Sequence, residues 1–340
     1  MFPKKVFNPW RVLIVTVLTT AIILVGFLVY LFTGQAELTD QVDFGVTFSQ
    51  KFAQEMGLDW QDTYLAILND LRVDKLRLVA YWPIIEPEPG QYSFEDLDWQ
   101  IDEATRQDAQ VILAIGRKVP RWPECHIPDW AKNLSEDEQQ ARILALLTKV
   151  VKRYRDNQTI KYWQVENEAF LKGFGQCPPL DEQFLDREIS LVRQLDHSGR
   201  PIVMTASGEL SSWLKPALKG DIFGTTLYRI VWIEKIGHFK YPIPAVFYYK
   251  RAKLVKWLSG VEKMIVIELQ GEPWGPRAIY ETAVWKQAKS MDLDKFKGII
   301  DYARRTGFEE AYLWGAEWWY WRKEHGNNAL WQEAKELWAD

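Results

Sequence analysis

Two short apolar runs, each ending at a glutamate, contain the residues best suited to chemistry. The first spans residues 160–168 and ends in Asn167-Glu168, and the second runs from Met264 to Glu268. Both are rich in residues that favour β-strands, so each run presents a carboxylate at a strand end. Two carboxylates in one pocket can cleave a glycosidic bond, because one protonates the leaving oxygen while the other attacks the sugar or activates water. Glu168 and Glu268 are therefore the predicted catalytic pair.

Each of these glutamates has a neighbour that competes for its role. In a regular strand Glu166 points to the same face as Glu168. We prefer Glu168 because it lies at the strand end and follows an asparagine. Glu272 competes with Glu268, but it stands beyond Gln270-Gly271 in a stretch typical of a loop. Glu166 and Glu272 remain the alternatives.

Alternating strand and helix patterns from residue 44 onward indicate the fold that positions the acids. Helical periodicity occupies the segments between strand-like runs, and a Ser135–Glu138 capping box opens the longest helix. Eight such units in about 300 residues predict a (β/α)8 TIM barrel, with its active site at the C-terminal strand ends. A doubly wound open sheet is the alternative, but its glycine-rich nucleotide turn is not in the sequence. The predicted strands are residues 44–48, 75–81, 111–115, 160–168, 201–205, 222–228, 265–268 and 311–314, with a long insertion at 229–244.

The N-terminal segment has the composition of a transmembrane anchor. Residues 12–32 contain no charge and no proline, and as a helix they are long enough to cross about 30 Å of hydrocarbon. Basic residues precede them and acidic residues follow, so residues 1–11 are predicted to be cytoplasmic and the remainder extracytoplasmic. A cleaved signal peptide is the alternative, although its apolar region is usually shorter. A linker at 33–42 and one catalytic domain at 43–340 complete the predicted single-pass membrane protein.

The composition excludes some functions and leaves others open. A net charge of −4, spread along the chain without a basic block, argues against nucleic-acid binding. The 4 histidines are scattered and no cysteine spacing fits zinc, so neither a metal nor a cofactor is predicted. We expect most of the 18 tryptophans to pack in the core, and a few to offer aromatic faces on which sugar rings stack. The sequence does not determine the oligomeric state.

Residues 44–335 resemble the retaining glycoside hydrolases of clan A, a superfamily of (β/α)8 barrels that includes families 5, 10, 39 and 42. The motifs that carry the resemblance are Asn167-Glu168 on the fourth strand, Ile267-Glu268 on the seventh, and the loop segment Tyr81 to Gly90 after the second. The matching single residues are Arg77, Tyr228 and Trp314, and Pro273-Trp274 is similar to the nucleophile strand of the family 42 galactosidases.

The resemblance implies a role for each of these residues. Glu168 would be the acid/base and Glu268 the nucleophile of a double displacement, with carboxyl groups about 5–5.5 Å apart. Asn167 would contact the sugar 2-hydroxyl, and Arg77 would keep Glu268 ionised, as an adjacent guanidinium does. The remaining expected substrate-binding roles belong to Tyr228 (also hydrogen-bonded to Glu268), Trp314 (the floor of the −1 subsite), Trp82 and His126.

Several of these residues also have an ordinary structural interpretation. Arg77 could form a strand-to-helix salt bridge, and Tyr228 and Trp314 could be core residues. A satisfied structural histidine fits the loop of His126 as well as a substrate contact does.

The only two cysteines, Cys125 and Cys177, indicate a disulfide in an extracytoplasmic chain. They fall in the third and fourth βα loops, which are adjacent at one face of the predicted barrel. The bond would brace the cleft rim beside Glu168.

The predicted function is a retaining glycosidase that cleaves O-glycosidic bonds, β in the simplest case, of an oligo- or polysaccharide. A transglycosidase or wall-remodelling enzyme would use the same two acids with a sugar hydroxyl in place of water. A catalytically silent glycan-binding barrel would keep the aromatic residues without needing both acids. The sugar and linkage depend on loop shapes, notably the 229–244 insertion, which pattern does not reveal.

Overall fold

The strands close into the predicted barrel. The structure is a computed structural model that describes residues 9–36 and 41–339. Eight parallel strands follow one another around the axis, and the last pairs with the first from Asp43↔Glu310 to Thr47↔Trp314. This confirms the (β/α)8 prediction over an open sheet. The barrel strands are β1 (Asp43–Thr47), β2 (Lys75–Val79), β3 (Gln110–Ile115), β4 (Ile160–Val165), β5 (Ile202–Ala206), β6 (Ile222–Leu227), β9 (Lys263–Gln270) and β10 (Glu310–Trp314); β7 (Ile230–Ile233) and β8 (Gly237–Lys240) form a separate hairpin.

Helices pack around the barrel, and capping side chains fix where several of them begin. Ser135 and Glu138 form the predicted reciprocal capping box, while Asp59, Asp181 and Asp292 each accept backbone N–H groups at other helix starts. The helices are α1 (Pro9–Phe32), α2 (Gln50–Glu55), α3 (Trp60–Asn69), α4 (Trp82–Ile85), α5 (Glu95–Arg106), α6 (Glu136–Tyr154), α7 (Glu182–Leu195), α8 (Leu214–Lys219), α9 (Ala245–Ser259), α10 (Val284–Gln287), α11 (Leu293–Arg304), α12 (Ala316–Glu324) and α13 (Ala329–Lys335).

The sequence patterns missed α2, α4, α8, α10 and α12. These helices have at most 9 residues, too few to show a 3.6-residue period clearly. Helix α12 is also aromatic on most of its faces, so it has no polar stripe to mark it.

The barrel interior changes from apolar to charged at its C-terminal end. An inner cluster of alternating strand residues, which point inward on successive strands, fills the body of the barrel. On the C-terminal side of this cluster, the polar side chains of Arg77 and Gln164 are both completely buried (0% exposed). They therefore lie on top of a closely packed apolar layer and not in an open channel. The inner apolar cluster consists of Ile112, Val203, Ile222, Ile265, Ile267 and Tyr312.

A β-bulge in β9 positions the second candidate acid. Thr225 and Thr226 of β6 pair with Val266 and Glu268 of β9, which leaves Ile267 without a partner residue. In a regular strand two successive side chains point to opposite faces, whereas a bulge re-aims them. Ile267 therefore joins the inner cluster while Glu268 also reaches the interior at the mouth.

The 229–244 insertion contains the hairpin β7–β8, which the sequence patterns did not predict. Its antiparallel register runs from Ile230↔Lys240 to Ile233↔Gly237. The side chain of Gln270 holds the base of the hairpin: its Oε1 accepts from the N–H groups of Arg229 (2.8 Å) and Ile230 (3.0 Å). The insertion is thus an ordered wall fixed to the end of β9.

Helix α1 covers residues 12–32 of the predicted anchor. It is long and apolar enough to cross a membrane, and nearly every side chain along it is exposed. Its C-terminal end meets α9, where Phe32 packs on Phe247 at 5.0 Å and Lys250 Nζ donates to the carbonyls of Tyr30 and Thr33. Residues 1–8 of the predicted cytoplasmic segment, 37–40 of the predicted linker, and residue 340 lie outside the described residues.

Candidate active site

The chain turns sharply after β4, and this turn presents the residues of the first motif. Strand β4 ends at Val165, earlier than predicted, and both Glu166 (φ 57°) and Glu168 (φ 44°) have left-handed backbone conformations. Such conformations are costly for residues other than glycine and concentrate at functional sites. The N–H of Glu168 donates to Thr205 Oγ1 (2.7 Å), and its carbonyl accepts from Lys118 Nζ (2.9 Å). Those two bonds hold Glu168 in place.

Glu166 is engaged by the loop that follows β3. Its Oε1 and Oε2 accept the backbone N–H groups of Arg117 (2.7 Å) and Lys118 (2.8 Å). A Cβ at Gly116 would lie only 2.3 Å from Glu166 Oε1, so the loop needs glycine there. These contacts are structural, which favours Glu168 over Glu166 as the acid.

Glu268 sits among hydrogen-bond donors. Arg77 Nη1 donates to its Oε1 (2.9 Å), Tyr228 Oη donates to its Oε2 (2.9 Å), and Asn167 Nδ2 lies 3.4 Å from Oε1. Arg77 also donates to Asn167 Oδ1 (2.7 Å) and to Gln164 Oε1 (2.8 Å). The structure thus brings Arg77, Asn167, Tyr228 and Glu268 together as predicted. Both carboxylate oxygens of Glu268 thus accept hydrogen bonds from neighbouring side chains.

Glu168 has the opposite environment. Burial, the charge of Glu268 and the neighbouring Glu124 raise the pKa of Glu168 well above its usual value. Its Oε1 is buried and has no hydrogen-bond partner within the described part of the chain. A protonated carboxyl group with one unengaged oxygen is suited to donate a proton to a bound molecule.

Glu124 is a third carboxyl group at the site, and no sequence pattern indicated it. It is 5% exposed, and its Oε2 accepts from Asn167 Nδ2 at 3.3 Å. Burial and the charge of Glu268 raise the pKa of Glu124 to about 8, so this group is mostly protonated at neutral pH. The one sequence signal was its position beside Cys125 in a loop already assigned to the cleft rim.

Glu272, the alternative to Glu268, belongs to a separate charged cluster. Arg121 donates to both Glu272 and Glu317, and Glu317 Oε1 also accepts the N–H of Ser49 at 2.6 Å. Trp314 Nε1 donates to Glu272 Oε1 at 2.8 Å, and the Arg121 guanidinium lies 4.2 Å from the Trp314 ring. Both of these donors reach Oε1 of Glu272, and its buried Oε2 has no hydrogen-bond partner among the described residues, so Glu272 belongs to the Arg121 cluster and not to the group around Arg77.

Two of the predicted substrate contacts are buried instead. Trp82 is 0% exposed, and its Nε1 donates to Glu86 Oε2 at 2.7 Å, so it has no surface to offer a sugar. His126 is 3% exposed, packs on Tyr81 at 4.6 Å and bonds the carbonyl of Arg121 at 2.9 Å. Burial lowers the pKa of His126 to about 4. Both residues brace loops at the barrel mouth, which is the structural interpretation of His126.

The third and fourth βα loops are joined by the predicted disulfide between Cys125 and Cys177. The second loop of this pair packs against Glu124: a Cβ at Gly175 (φ 82°) would lie 2.6 Å from Glu124 Cβ. Only glycine permits that approach, because it has no Cβ and tolerates positive φ. The disulfide and the missing Cβ of Gly175 together allow the fourth loop to pack against Glu124.

A row of aromatic rings crosses the barrel mouth above the acids. Trp122 lies 6.3 Å from Phe174, Phe174 lies 6.0 Å from Trp274, and Trp274 lies 5.0 Å from Tyr228. The four rings come from the loops after β3, β4, β9 and β6. We call them the aromatic row. Among the described residues, no group of three or more His, Cys, Asp or Glu side chains could hold a metal ion.

Residues 59–143 match the family model described as β-galactosidase, glycoside hydrolase family 42. That match includes β2 with Arg77, the following loop, and the rim loop with Glu124. No curated protein sequence gives a significant match to the chain.

Solved structures of glycoside hydrolases share the fold at low sequence identity. The β-galactosidase from Rahnella sp. R3 is 11% identical with a TM-score of 0.57, covering 89% of this chain and 57% of its own. The GH5_18 protein from Bifidobacterium longum subsp. longum is 15% identical with a TM-score of 0.57, covering 81% and 70%. The family 10 endo-β-1,4-xylanase from Gloeophyllum trabeum is 14% identical with a TM-score of 0.52, covering 84% of each chain.

This chain spans little more than half the length of the β-galactosidase structures it is similar to, 57% for the Rahnella enzyme and 55% for that of Bacillus circulans. At these identities the likeness is one of fold. Residues 59–143 match the family 42 model, and the whole barrel shares the fold of these glycoside hydrolase structures, in agreement with the resemblance inferred from the sequence.

Proposed function

We propose that the protein is a membrane-anchored retaining glycosidase, with Glu168 as acid/base and Glu268 as nucleophile. The observation that carries the proposal is the contrast between the two acids. Arg77 and Tyr228 donate to Glu268, whereas Glu168 is buried with an unengaged oxygen. Retaining cleavage requires one carboxyl group that attacks the sugar and a second one that carries a proton for the leaving oxygen.

The proposed reaction is a double displacement. Glu268 attacks the anomeric carbon while Glu168 gives its proton to the glycosidic oxygen, so the C–O bond breaks and a sugar ester of Glu268 forms. Water then attacks the anomeric carbon as Glu168 takes its proton, and the ester bond to Glu268 breaks. Each glutamate thereby returns to its starting protonation state.

The remaining residues have supporting roles in this proposal. Asn167 binds the sugar 2-hydroxyl, Arg77 holds the carboxylate of Glu268 in position through its hydrogen bond, and Trp314 with Tyr228 lines the −1 subsite. Of the residues expected to touch substrate, Trp82 and His126 are assigned to loop support, because each is bonded to a residue of its own loop.

The acids are tested by amide substitution in the full chain held in detergent. Glu268→Gln and Glu168→Gln should each lower kcat on an aryl β-glycoside by at least about a thousandfold, because the nucleophile and proton donor are lost. A 2-deoxy-2-fluoro aryl glycoside should label Glu268, located by peptide mass. Glu166→Gln is the neighbouring control and should keep most activity if folded. Labelling of Glu272, or unchanged turnover in Glu268→Gln, would contradict the assignment.

We further propose that residues 12–32 anchor the enzyme, with residues 1–11 cytoplasmic and the barrel outside. Helix α1 has 24 residues, about 36 Å at 1.5 Å per residue, which exceeds the ~30 Å of a bilayer core. The Cys125–Cys177 disulfide supports an oxidising compartment for the barrel.

A further inference from the structure

A cavity opens beside the aromatic row. It has a volume of about 410 Å³ and lies between the β7–β8 hairpin and the loop that follows β9. That volume is within the range of small-molecule sites. We call it the basic basin and define it by Trp232, His238, Trp274, Arg277, Lys286 and Lys289.

The basic basin adjoins the nucleophile candidate through two side chains. Trp274, in its wall, meets Tyr228 edge-on at 5.0 Å, and Tyr228 Oη donates to Glu268 Oε2 at 2.9 Å. A glycan with one sugar unit at Glu268 could therefore extend a neighbouring unit into the basin.

The basin concentrates unpaired positive charge. Arg277, Lys286 and Lys289 are exposed, and none of them forms an ion pair within the described part of the chain. The one acidic side chain in the lining is Glu281. The ammonium groups of both lysines lie near the exposed ring of Trp285, at 5.3 and 5.5 Å. In a chain of net charge −4 this local excess of cations favours an anionic ligand.

Hydrogen bonds hold the loop that forms one wall of the basin. Ser290 Oγ accepts the N–H of Trp274 (3.0 Å) and donates to its carbonyl (2.9 Å). Gln287, 1% exposed, donates to the carbonyls of Ile279 (2.9 Å) and Thr282 (2.8 Å). A preformed wall lowers the ordering cost of binding, which distinguishes a built site from scattered surface lysines.

We propose that the basic basin is a subsite for a sugar unit that carries a negative charge, as a carboxylate, sulfate or phosphate. The inference rests on the proposed function, because it supplies the substrate class of that same site. The planar guanidinium of Arg277 can bind such a group with two parallel hydrogen bonds, and the two lysines add point charges. Trp232 and Trp274 supply the apolar walls of the subsite.

Binding is tested separately from turnover, with the full-length Glu268→Gln variant in detergent. It is applied to an array of immobilised glycans that includes neutral members and members bearing uronic acid, sulfate or phosphate. We expect the strongest signals from anionic glycans, and weaker signals as salt screens the charges. Equal or stronger binding of neutral glycans, or no binding to any anionic member, would overturn the proposal.

The three cations are then neutralised together, in Arg277→Gln/Lys286→Gln/Lys289→Gln, on the same background. Calorimetry with the best anionic binder should show about tenfold weaker affinity, as expected for several exposed charge pairs. The charge-preserving variant Lys286→Arg/Lys289→Arg should retain most of the affinity for the anionic glycan. Lys256→Gln, which changes an exposed lysine on α9, is the matched control. Equal affinity in the triple variant and the control would refute the subsite.

The two proposals fail in different ways. Anion-selective binding without any glycoside hydrolysis by the parent protein would refute the enzyme and keep the basin. Hydrolysis of neutral glycosides with no anion preference would refute the basin and keep the enzyme.

Discussion

At the residue scale, the two candidate acids differ in the donors that reach them. Glu268 accepts from Arg77 and Tyr228, whereas Glu168 has an oxygen without a partner among the described residues. Such a difference in environment gives two identical side chains two chemical roles. Each donor can therefore be removed singly to measure its part.

Tyr228→Phe removes only the hydroxyl that donates to Glu268. We expect kcat on an aryl β-glycoside to fall about 10- to 100-fold, because a hydrogen bond to a charged group contributes roughly 1.5–3 kcal/mol. Tyr280→Phe, on a partly exposed tyrosine outside the site, is the control. A kcat equal to that of the control would mean that Tyr228 does not assist the nucleophile.

Glu124→Gln should change how stability depends on pH. The pKa of Glu124 is raised to about 8 from 4.5. Between these values the unfolded chain has released a proton that the folded protein still holds, so the wild type loses stability as pH rises. The glutamine side chain of the variant does not titrate and has no such proton to lose. The variant should therefore gain relative to wild type from pH 5 to 8, by up to several kcal/mol.

Urea unfolding of both proteins across this pH range measures that difference. Glu262→Gln, on an exposed glutamate, is the matched control. A difference between Glu124→Gln and wild type that stays constant from pH 5 to 8 would show that Glu124 ionises normally.

At the element scale, the site is built from strand ends and the loops that leave them. The turn after β4 orients Glu168, and the bulge at Ile267 orients Glu268. The disulfide joins the fourth loop to the third loop, which contains Glu124. The short strand runs predicted that both carboxylates lie at one end of the barrel. The bulge and the left-handed turn depend on pairing with β6 and β5, which no local pattern reports.

Cys125→Ser/Cys177→Ser should loosen this rim. The bond closes a loop with a sequence separation of 52, and removing it should cost about 2–4 kcal/mol of unfolding free energy. Urea midpoints of wild type and variant, each with and without reductant, make the measurement. Reductant should lower the wild-type midpoint and leave the variant unchanged. Equal midpoints for the two oxidised proteins would mean that the bond does not stabilise the fold.

At the scale of the whole molecule, one apolar helix precedes a barrel whose mouth carries all the candidate chemistry. Helix α1 meets α9 through Phe32 and Lys250, so this apolar helix ends directly on the barrel. Protease digestion of tagged protein in intact cells measures the proposed membrane topology.

We expect a protease added outside the cells to digest a C-terminal tag without lysis, and an N-terminal tag to stay cell-associated on a short membrane fragment. A periplasmic or secreted control and a cytoplasmic control define the two limits. Digestion only after lysis would reverse the orientation. Release of the barrel without the N-terminal tag before protease is added would indicate a cleaved signal peptide.

The sequence by itself determined the alternation of strands and helices, the positions of Glu168 and Glu268 near the C-terminal ends of β4 and β9, the cysteine pair and the apolar N-terminal segment. These features follow from local periodicity and residue type, which depend only on residues close together in the sequence. Tertiary structure alone decided that Glu166 and Glu272 are engaged elsewhere, that Trp82 and His126 are buried, and that Glu124 joins the site. Burial and partner choice depend on residues far apart in sequence, so they emerge only when the barrel closes.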